Sequence, residues 1–234
     1  MSSICENIKA IRSEIEDICR QNNRDAKDVT LIAVTKTIDV ARIKEAIDAG
    51  ISDVGENKVQ EIMDKYDAIK DISNIHLIGH LQSNKVKYII DKVKLIHSVD
   101  SLKLMDEINK RANKSGIIAD ILIQVNVAHE DTKFGIDMRD VDSYIEYASK
   151  LNNIRVMGLM TIAPYFEDPE KTRPIFRALK EKFDELATIQ YSNVEMKYLS
   201  MGMTNDYKVA LEEGSNMIRV GTGIFGKRVY NTNL

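Results

Sequence analysis

Cysteine is scarce in this sequence of 234 residues. Only Cys5 and Cys19 occur, which is too few for a disulfide framework in a chain of this length. Both fall within one predicted helix, and their separation along its axis is too large for them to bridge each other. Two unpaired thiols are typical of a reducing compartment, and we therefore expect a cytoplasmic protein.

Long apolar runs and an excess of charge of one sign are also missing. The apolar runs, such as 31–34, are too short to span a bilayer, and the acidic N-terminal stretch is unlike a signal peptide. Lys and Arg number 33 against 36 Asp and Glu, giving a net charge of −3, which removes the electrostatic basis for nucleic-acid binding. The four histidines show no metal-site spacing, so we expect no metal.

Helix and strand patterns alternate along the chain. Isoleucines at positions 4, 8, 11, 15 and 18 form one apolar stripe, which predicts an amphipathic N-terminal helix. After it, short apolar runs alternate with amphipathic stretches. The eight predicted strands are 29–36, 52–55, 75–79, 94–99, 119–127, 155–160, 196–201 and 217–221.

Strands separated by helices predict parallel pairing, because parallel neighbours need long crossover connections. A doubly wound open sheet is the alternative, but no GxGxxG follows the first strand. A closed (β/α)8 barrel needs roughly 250 residues in one piece, which this length suits. We therefore predict an α/β fold, a single (β/α)8 TIM barrel with an extra N-terminal helix, as one domain over 1–234.

Lys36 ends the first predicted strand on the same face as Ile32 and Val34, because side chains alternate along a strand. If that face points into the barrel, the amine lies at the mouth, where the active sites of such barrels occur. An apolar wall there favours the neutral amine, which can attack a carbonyl. The alternative is a lysine that extends into solvent at a strand end.

Two glycine-bearing loops follow the last two strands, 200–204 (SMGMT) and 221–226 (GTGIFG). Barrel enzymes recurrently bind phosphate at these positions, because backbone N–H groups there converge on the anion. The hydroxyl of Ser200 or Thr222 can add a donor. The alternative is that the glycines only form tight turns. Thr204 is predicted to be the N-cap of a helix over 204–213.

Arg219 lies in phase with Met217 and Gly221, which predicts a guanidinium inside the barrel. Such a group needs an acceptor, because an unpaired buried charge is very costly. It either forms an ion pair with an internal acid such as Glu56 or contacts a ligand. A Schiff-base lysine, a phosphate cradle and an arginine that faces an aromatic nitrogen together describe a site for pyridoxal 5′-phosphate (PLP).

Polar clusters follow the second and third predicted strands, at 55–57 (GEN) and 79–85 (GHLQSNK). Binding residues concentrate on loops of this kind. Asn57 and His80 are therefore candidates for contact with the cofactor, and simple turn capping explains them equally well.

Several stretches together resemble the pyridoxal-phosphate homeostasis protein family. They are AVTKT (33–37), GENKVQE (55–61), HLIGHLQSNK (76–85), KFGI (133–136), GLMTIAP (158–164), LSMGMTNDY (199–207) and IRVGTGIFG (218–226). The resemblance covers essentially the whole chain in the same order. At position 204 the family usually has serine, and Thr204 keeps the hydroxyl.

The resemblance implies a fold-type III PLP protein, similar to the N-terminal barrel of alanine racemase. Lys36 would then hold PLP as a Schiff base, and Arg219 would face the pyridine nitrogen. The residues that would surround the phosphate are Ser200, Gly202, Gly221 and Thr222. Members of the family are mostly described as carriers or regulators of PLP and amino-acid pools, without an established reaction, and as monomers or weak associates.

Three hypotheses follow. The first is a non-catalytic PLP-binding homeostasis protein that is a monomer, with apo PLP-dependent enzymes as candidate partners. The second is a small fold-type III PLP enzyme, a racemase or lyase. An arginine partner limits such an enzyme to modest steps such as racemisation, because arginine has no proton to give and leaves the ring a poor electron sink. The third is a Schiff-base aldolase on the same barrel that holds no cofactor.

Overall fold

A closed ring of eight parallel strands forms the centre of the protein. The computed structural model describes residues 2–128, 130 and 134–226, so His129 and Lys133 of the KFGI stretch lie outside the described residues. Each strand pairs in parallel with the next, and the last pairs back onto the first. The strands are β1 (Thr30–Val34), β2 (Asp53–Glu56), β3 (Asn74–Leu77), β4 (Leu95–Val99), β5 (Ala119–Gln124), β6 (Ile154–Met160), β7 (Val194–Met203) and β8 (Met217–Val220).

Helices occupy the connections and cover the outside of the ring. They are α1 (Ile4–Gln21), α2 (Val40–Asp48), α3 (Val59–Ile69), α4 (Val86–Ile89), α5 (Leu102–Ser115), α6 (Val141–Ser149), α7 (Arg173–Ala187), α8 (Tyr207–Glu212) and α9 (Thr222–Phe225). The predicted (β/α)8 barrel is confirmed. Among the described residues, no helix has both the length and the apolarity that crossing a membrane requires.

The predicted N-terminal helix is α1. Ser3 and Glu6 form a capping box at its start, which satisfies two backbone donors that the first turn leaves unpaired. Its isoleucine stripe is buried, and the helix packs against α8 and α9. The extra helix therefore covers the side of the barrel that the last two strand–helix units form.

Side chains alternate between a small core inside the ring and a larger core under the helices. On β1, Ile32 belongs to the inner core, whereas Leu31 and Ala33 belong to the outer one. The buried members of the inner core are Ile32, Leu95, Leu122, Met157, Met160 and Met217. The predicted phase of β1 is therefore confirmed, and it directs Val34 and Lys36 toward the mouth of the barrel.

Ionisable side chains share the interior with this apolar core, among them Asp53, His76 and His97. His76 Nε2 lies 2.9 Å from Asp53 Oδ1, and His76 Nδ1 lies 3.0 Å from His97 Nε2. Burial lowers the pKa of His76 and lowers that of His97 further. Burial alone would raise the pKa of Asp53, but hydrogen bonds from His76 and Ser52 lower it to about 2. At neutral pH the imidazoles are uncharged and the carboxylate is ionised.

Gly158 allows β6 and β7 to approach each other closely. Its φ is +138°, and a Cβ atom there would lie 1.9 Å from the carbonyl oxygen of Tyr198. We expect Gly158→Ala to destabilise the fold by about 3 kcal/mol or more, because it adds a clash with backbone to an unfavourable φ. Urea unfolding of the variant measures this loss.

The matched control is Gly116→Ala. Gly116 also has a positive φ, +66°, but a Cβ there would meet nothing within 4 Å. Gly116→Ala should lose only about 1 kcal/mol of stability, because the backbone penalty acts alone. Equal losses for the two variants would contradict the steric explanation.

The free energy of unfolding should fall as the pH drops below about 6.5. Unfolded histidines titrate near that pH, whereas His76 and His97 have lower pKa values in the fold, so the unfolded chain binds more protons. Each contributes a loss of up to ~1.4 kcal/mol per pH unit, and the loss stops below its folded pKa. Asp53, whose pKa in the fold is about 2, adds a further loss of stability only between roughly pH 4 and 2. Urea midpoints from about pH 8 to 5 test the histidine part.

Ser98 supplies the control, because it is a fully buried neighbour of His97 and does not titrate. Ser98→Ala should leave the decline unchanged, whereas His97→Phe should remove part of it. A midpoint that stays constant over the whole range would show that the buried imidazoles are not the titrating groups.

Candidate functional site

A cavity of about 330 Å³ opens at the carboxyl ends of the strands. Small-molecule sites typically enclose roughly 300–1,000 Å³. Its walls come from residues in or after β1, β6, β7 and β8. They are Val34, Lys36, Ile38, Tyr165, Met203, Thr204, Asn205, Arg219, Gly221, Thr222, Phe225 and Gly226.

The charged groups of this lining are both cations. Lys36 and Arg219 contribute them, and no carboxylate is found among the described lining residues. A partly enclosed cavity with charge of one sign focuses its potential on a ligand of the opposite sign. The cavity therefore suits an anionic ligand.

Lys36 lies in the cavity wall two residues beyond the end of β1. The turn around it is fixed on both sides. Thr35 Oγ1 donates to Glu56 Oε1 at 2.7 Å, and the Thr37 N–H donates to Glu61 Oε2 at 2.6 Å. Thr37 has a φ of +63°, which a threonine adopts only when its surroundings impose it.

Lys65, on α3, connects the two acids of that turn. Its Nζ donates to Glu56 at 2.7 Å, to Glu61 at 3.1 Å and to the carbonyl oxygen of Thr35 at 2.9 Å. Burial raises the pKa of Glu56, which is fully enclosed. The pKa of Glu61 is lowered, because its hydrogen bonds from Thr37 and Lys65 outweigh its burial. The turn that presents Lys36 is thus anchored outside the ring.

Arg219 points into the barrel, as its phase in β8 predicts, and is 3% exposed. The alternative that Arg219 forms an ion pair with Glu56 is wrong, because Glu56 faces α3 and pairs with Lys65. The guanidinium donates instead to Ser200 Oγ at 2.6 Å and to the carbonyl oxygen of Thr161 at 2.8 Å. Burial lowers the pKa of Arg219 to about 10, which still leaves it charged at neutral pH.

Two backbone N–H groups converge at the cavity wall. Those of Gly221 and Gly223 both donate to Thr204 Oγ1, each at 3.3 Å. The prediction that Thr204 caps a helix is wrong, because α8 begins at Tyr207 with Asp206 at its N-cap. The loop after β7 and the loop after β8 therefore bring a hydroxyl and two amide donors to one point.

Ser200 and Gly202 lie behind this wall and not in it. Ser200 is fully buried, and its Oγ lies between Arg219 and His97 Nδ1, at 3.1 Å from the latter. A Cβ on Gly202, whose φ is +94°, would lie 2.6 Å from the Cβ of Ala210 on α8. Of the four residues predicted around a phosphate, Gly221 and Thr222 line the cavity, and these two do not.

Asn57 and His80 also lie away from this cavity lining. The backbone of Asn57 packs so closely on Gly79 that a Cβ there would lie 2.4 Å from the Asn57 carbonyl oxygen. His80 is exposed and stacks on Phe134, with ring centroids 3.8 Å apart. Its Nδ1 lies 3.2 Å from Asp100 Oδ2. The geometry favours the structural explanation for both.

Sequence reasoning missed Thr204 as part of the wall and missed the link through Ser200 between Arg219 and His97. The threonine that ends the first glycine-bearing loop is a signal for the first. For the second, the signal is a histidine in each of two short apolar strands, His76 and His97.

Comparisons with known proteins agree with this geometry. The family model for the alanine racemase N-terminal domain matches residues 7–229. The pyridoxal phosphate homeostasis protein of Aquifex aeolicus is 45% identical over 227 residues, which cover 97% of this chain and 99% of that protein.

Solved structures give the same relationship. PipY of Synechococcus elongatus, solved with PLP bound, is 33% identical, has a TM-score of 0.83, and is matched over 96% of this chain and 100% of its own. An alanine racemase of Clostridium difficile is 18% identical, with a TM-score of 0.69, over 97% of this chain and 58% of its own, which shows a shared fold alone. The chain therefore belongs to the pyridoxal phosphate homeostasis protein family, which shares its barrel with the N-terminal domain of alanine racemase.

Proposed function

We propose that this chain binds PLP on Lys36 and acts as a PLP-binding protein in cytoplasmic vitamin B6 and amino-acid homeostasis, without a catalytic reaction of its own. The observation that carries the proposal is the meeting of three features in one cavity. They are the amine of Lys36, the guanidinium of Arg219, and the amide donors at Thr204. The names of the Aquifex relative and of PLP-bound PipY support it.

The donor set fits the three polar ends of PLP. Its aldehyde condenses with an amine and releases water, and this is the chemistry the cofactor supplies when bound. Lys36 provides the amine on an anchored turn. The N–H groups of Gly221 and Gly223, with the hydroxyls of Thr204 and Thr222, would hold the phosphate, since convergent amides favour an anion. Arg219 would face the ring nitrogen.

Arg219 also favours a carrier over an enzyme. A PLP ring acts as an electron sink when an acid protonates its nitrogen, whereas a guanidinium with a pKa of about 10 keeps its proton at neutral pH. Tyr165, at the cavity, is 78% exposed, and such an open mouth suits loading and release. We propose further that residues 1–234 act as one domain, that the protein is a monomer, and that apo PLP-dependent enzymes receive the cofactor.

Replacing Lys36 should abolish covalent loading. The wild-type protein should be yellow with PLP, and borohydride should fix the label on the peptide that contains Lys36. Lys36→Ala should lose both signals, because Lys36 carries the only amine among the described residues of the cavity wall. Absorbance spectra and peptide mass spectrometry measure the two effects.

Lys44→Ala is the control, because Lys44 is exposed on α2. It should load normally. A wild-type protein that stays colourless with added PLP would overturn the proposal and favour a cofactor-free aldolase. Turnover of an amino acid that is lost in Lys36→Ala would instead establish a PLP enzyme.

Arg219→Ala should weaken PLP binding about 10- to 100-fold, the loss expected for a charge-assisted hydrogen bond, while the barrel stays folded. Arg219→Lys should fall between this variant and the wild type, because it keeps the charge and loses the planar fork. PLP titrations and thermal melts measure binding and folding separately. Loss of folding with unchanged affinity in the surviving protein would assign Arg219 a purely structural role.

A further inference from the structure

A line of hydrogen bonds crosses the interior of the barrel from Arg219 to Asp53. Arg219 Nη1 lies 2.6 Å from Ser200 Oγ, which lies 3.1 Å from His97 Nδ1. His97 Nε2 lies 3.0 Å from His76 Nδ1, and His76 Nε2 lies 2.9 Å from Asp53 Oδ1. All five side chains are buried. We call these five residues the interior chain.

The interior chain joins the two ends of the barrel. Arg219 lines the cavity that contains Lys36. Asp53 and His76 line a small cavity of about 70 Å³ at the amino ends of the strands, beside Lys94 and Asp120. A change at the far end of the barrel therefore has a continuous polar route to the proposed cofactor site.

With both imidazoles neutral, the carboxylate of Asp53 fixes the direction of every hydrogen bond in the interior chain. A guanidinium only donates, and an ionised carboxylate only accepts. His76 must therefore carry its hydrogen on Nε2, toward Asp53, and accept on Nδ1. His97 must then donate from Nε2 and accept on Nδ1 from the Ser200 hydroxyl. One arrangement, with both imidazoles neutral, satisfies all the groups.

An added proton or the opposite tautomer breaks this arrangement. In the opposite tautomer, His76 would face the carboxylate of Asp53 with an Nε2 that has no hydrogen. A protonated His97 would donate from Nδ1 to Ser200 Oγ, and the Ser200 hydrogen would then lose its acceptor in the interior chain. The lowered pKa values of both histidines agree with neutral rings. Hydrogen bonds aligned in one direction also polarise and strengthen one another.

We propose that Asp53, His76 and His97 are positioning residues for Arg219, which they orient through Ser200. With its hydrogen directed to His97, Ser200 offers Arg219 a lone pair, and the Thr161 carbonyl fixes the second nitrogen. The remaining guanidinium N–H groups are then held toward the cavity. The inference rests on the proposed function, because it gives Arg219 the ring nitrogen of PLP as its ligand.

The first test needs neither a variant nor the cofactor. Two-bond ¹H–¹⁵N spectra of the apo-protein at neutral pH should show His76 and His97 as neutral rings with hydrogen on Nε2. A hydrogen on Nδ1 of either buried ring, or a mixture of tautomers, would overturn the one-way chain.

The second test interrupts the interior chain far from the phosphate loops. In folded His97→Phe, we expect PLP to bind about tenfold more weakly and its visible absorption band to shift, because outer-shell partners of a ligand commonly have effects of this size. Asp53→Asn should have a smaller effect in the same direction, because its amide oxygen still accepts from His76. His97→Gln, which keeps one donor and one acceptor, should recover part of the affinity and of the band position.

Two control variants separate positioning from general damage to the core. Ser98 is a fully buried neighbour of His97 whose Oγ makes no hydrogen bond within the described residues. Asp120 lines the same small cavity as Asp53 but pairs with Arg155 at 2.8 Å. Ser98→Ala and Asp120→Asn should stay within about twofold of the wild type, as expected for changes outside the chain.

The outcomes distinguish this inference from the proposed function. If the wild-type protein takes up no PLP, the proposed function fails, whatever the tautomers are. If the wild type loads normally and folded His97→Phe and Asp53→Asn keep its affinity and band, the positioning role is wrong while the function stands. If His97→Phe does not fold, the tautomer spectra and Asp53→Asn still decide.

Discussion

The parallel pairing of β1 with β8 is the interaction on which the site depends. It sets Ile32 beside Arg219 and brings Val34 within reach of Gly221, where a Cβ would lie 3.4 Å from that of Val34. Lys36 and Arg219 therefore share a cavity only after the ring has closed on itself. The six intervening strands complete this closure. Closure also removes the sheet edges that an open arrangement would expose.

Burying the Arg219 guanidinium is the largest electrostatic demand in the barrel. Its direct acceptors, Ser200 and the carbonyl of Thr161, are uncharged, so they satisfy its geometry without neutralising it. The carboxylate of Asp206 acts on it through space, and that of Asp53 terminates the interior chain. A buried charge is tolerated when oriented dipoles surround it. The polar line through an otherwise apolar interior follows from this requirement.

The sequence predicted the parts of this architecture that depend on local periodicity. Alternation along the first strand assigned Lys36 to the interior face together with Ile32, and the same reasoning placed Arg219 inside. That argument works while a strand stays regular. It does not extend through the end of β7, where the pairing with β8 shifts between Ser200 and Met203. An irregularity of this kind re-aims the side chains that follow it, so the inward direction of Ser200 does not predict that Thr204 reaches the cavity wall.

Local sequence patterns do not predict which side chains on different strands contact each other. The short runs that contain His76 and His97 place a histidine in each of two strands but do not show that the two rings meet, since the pairing depends on the register of β3, β4 and β7 around the closed ring. Glu56 illustrates the same limit. The sequence offers Glu56 as an ion-pair partner for Arg219, but β2 directs its side chain outward, where it pairs with Lys65. Period and phase specify a face, whereas the partner on that face is fixed by tertiary structure.

The direction of the interior chain bears on why such a site would hold PLP without using it as a catalyst. Every hydrogen in the chain points from Arg219 toward Asp53, away from the cavity. Delivering a proton to a ring nitrogen beside Arg219 would require the guanidinium to give one up and all four links to reverse, through two imidazoles whose charged forms burial disfavours. The arrangement that orients Arg219 thus also withholds a proton from its ligand. If Lys36 and Arg219 hold PLP as proposed, Arg219 would leave the ring a weak electron sink, which would suit storage and transfer better than reactions that need a strong sink.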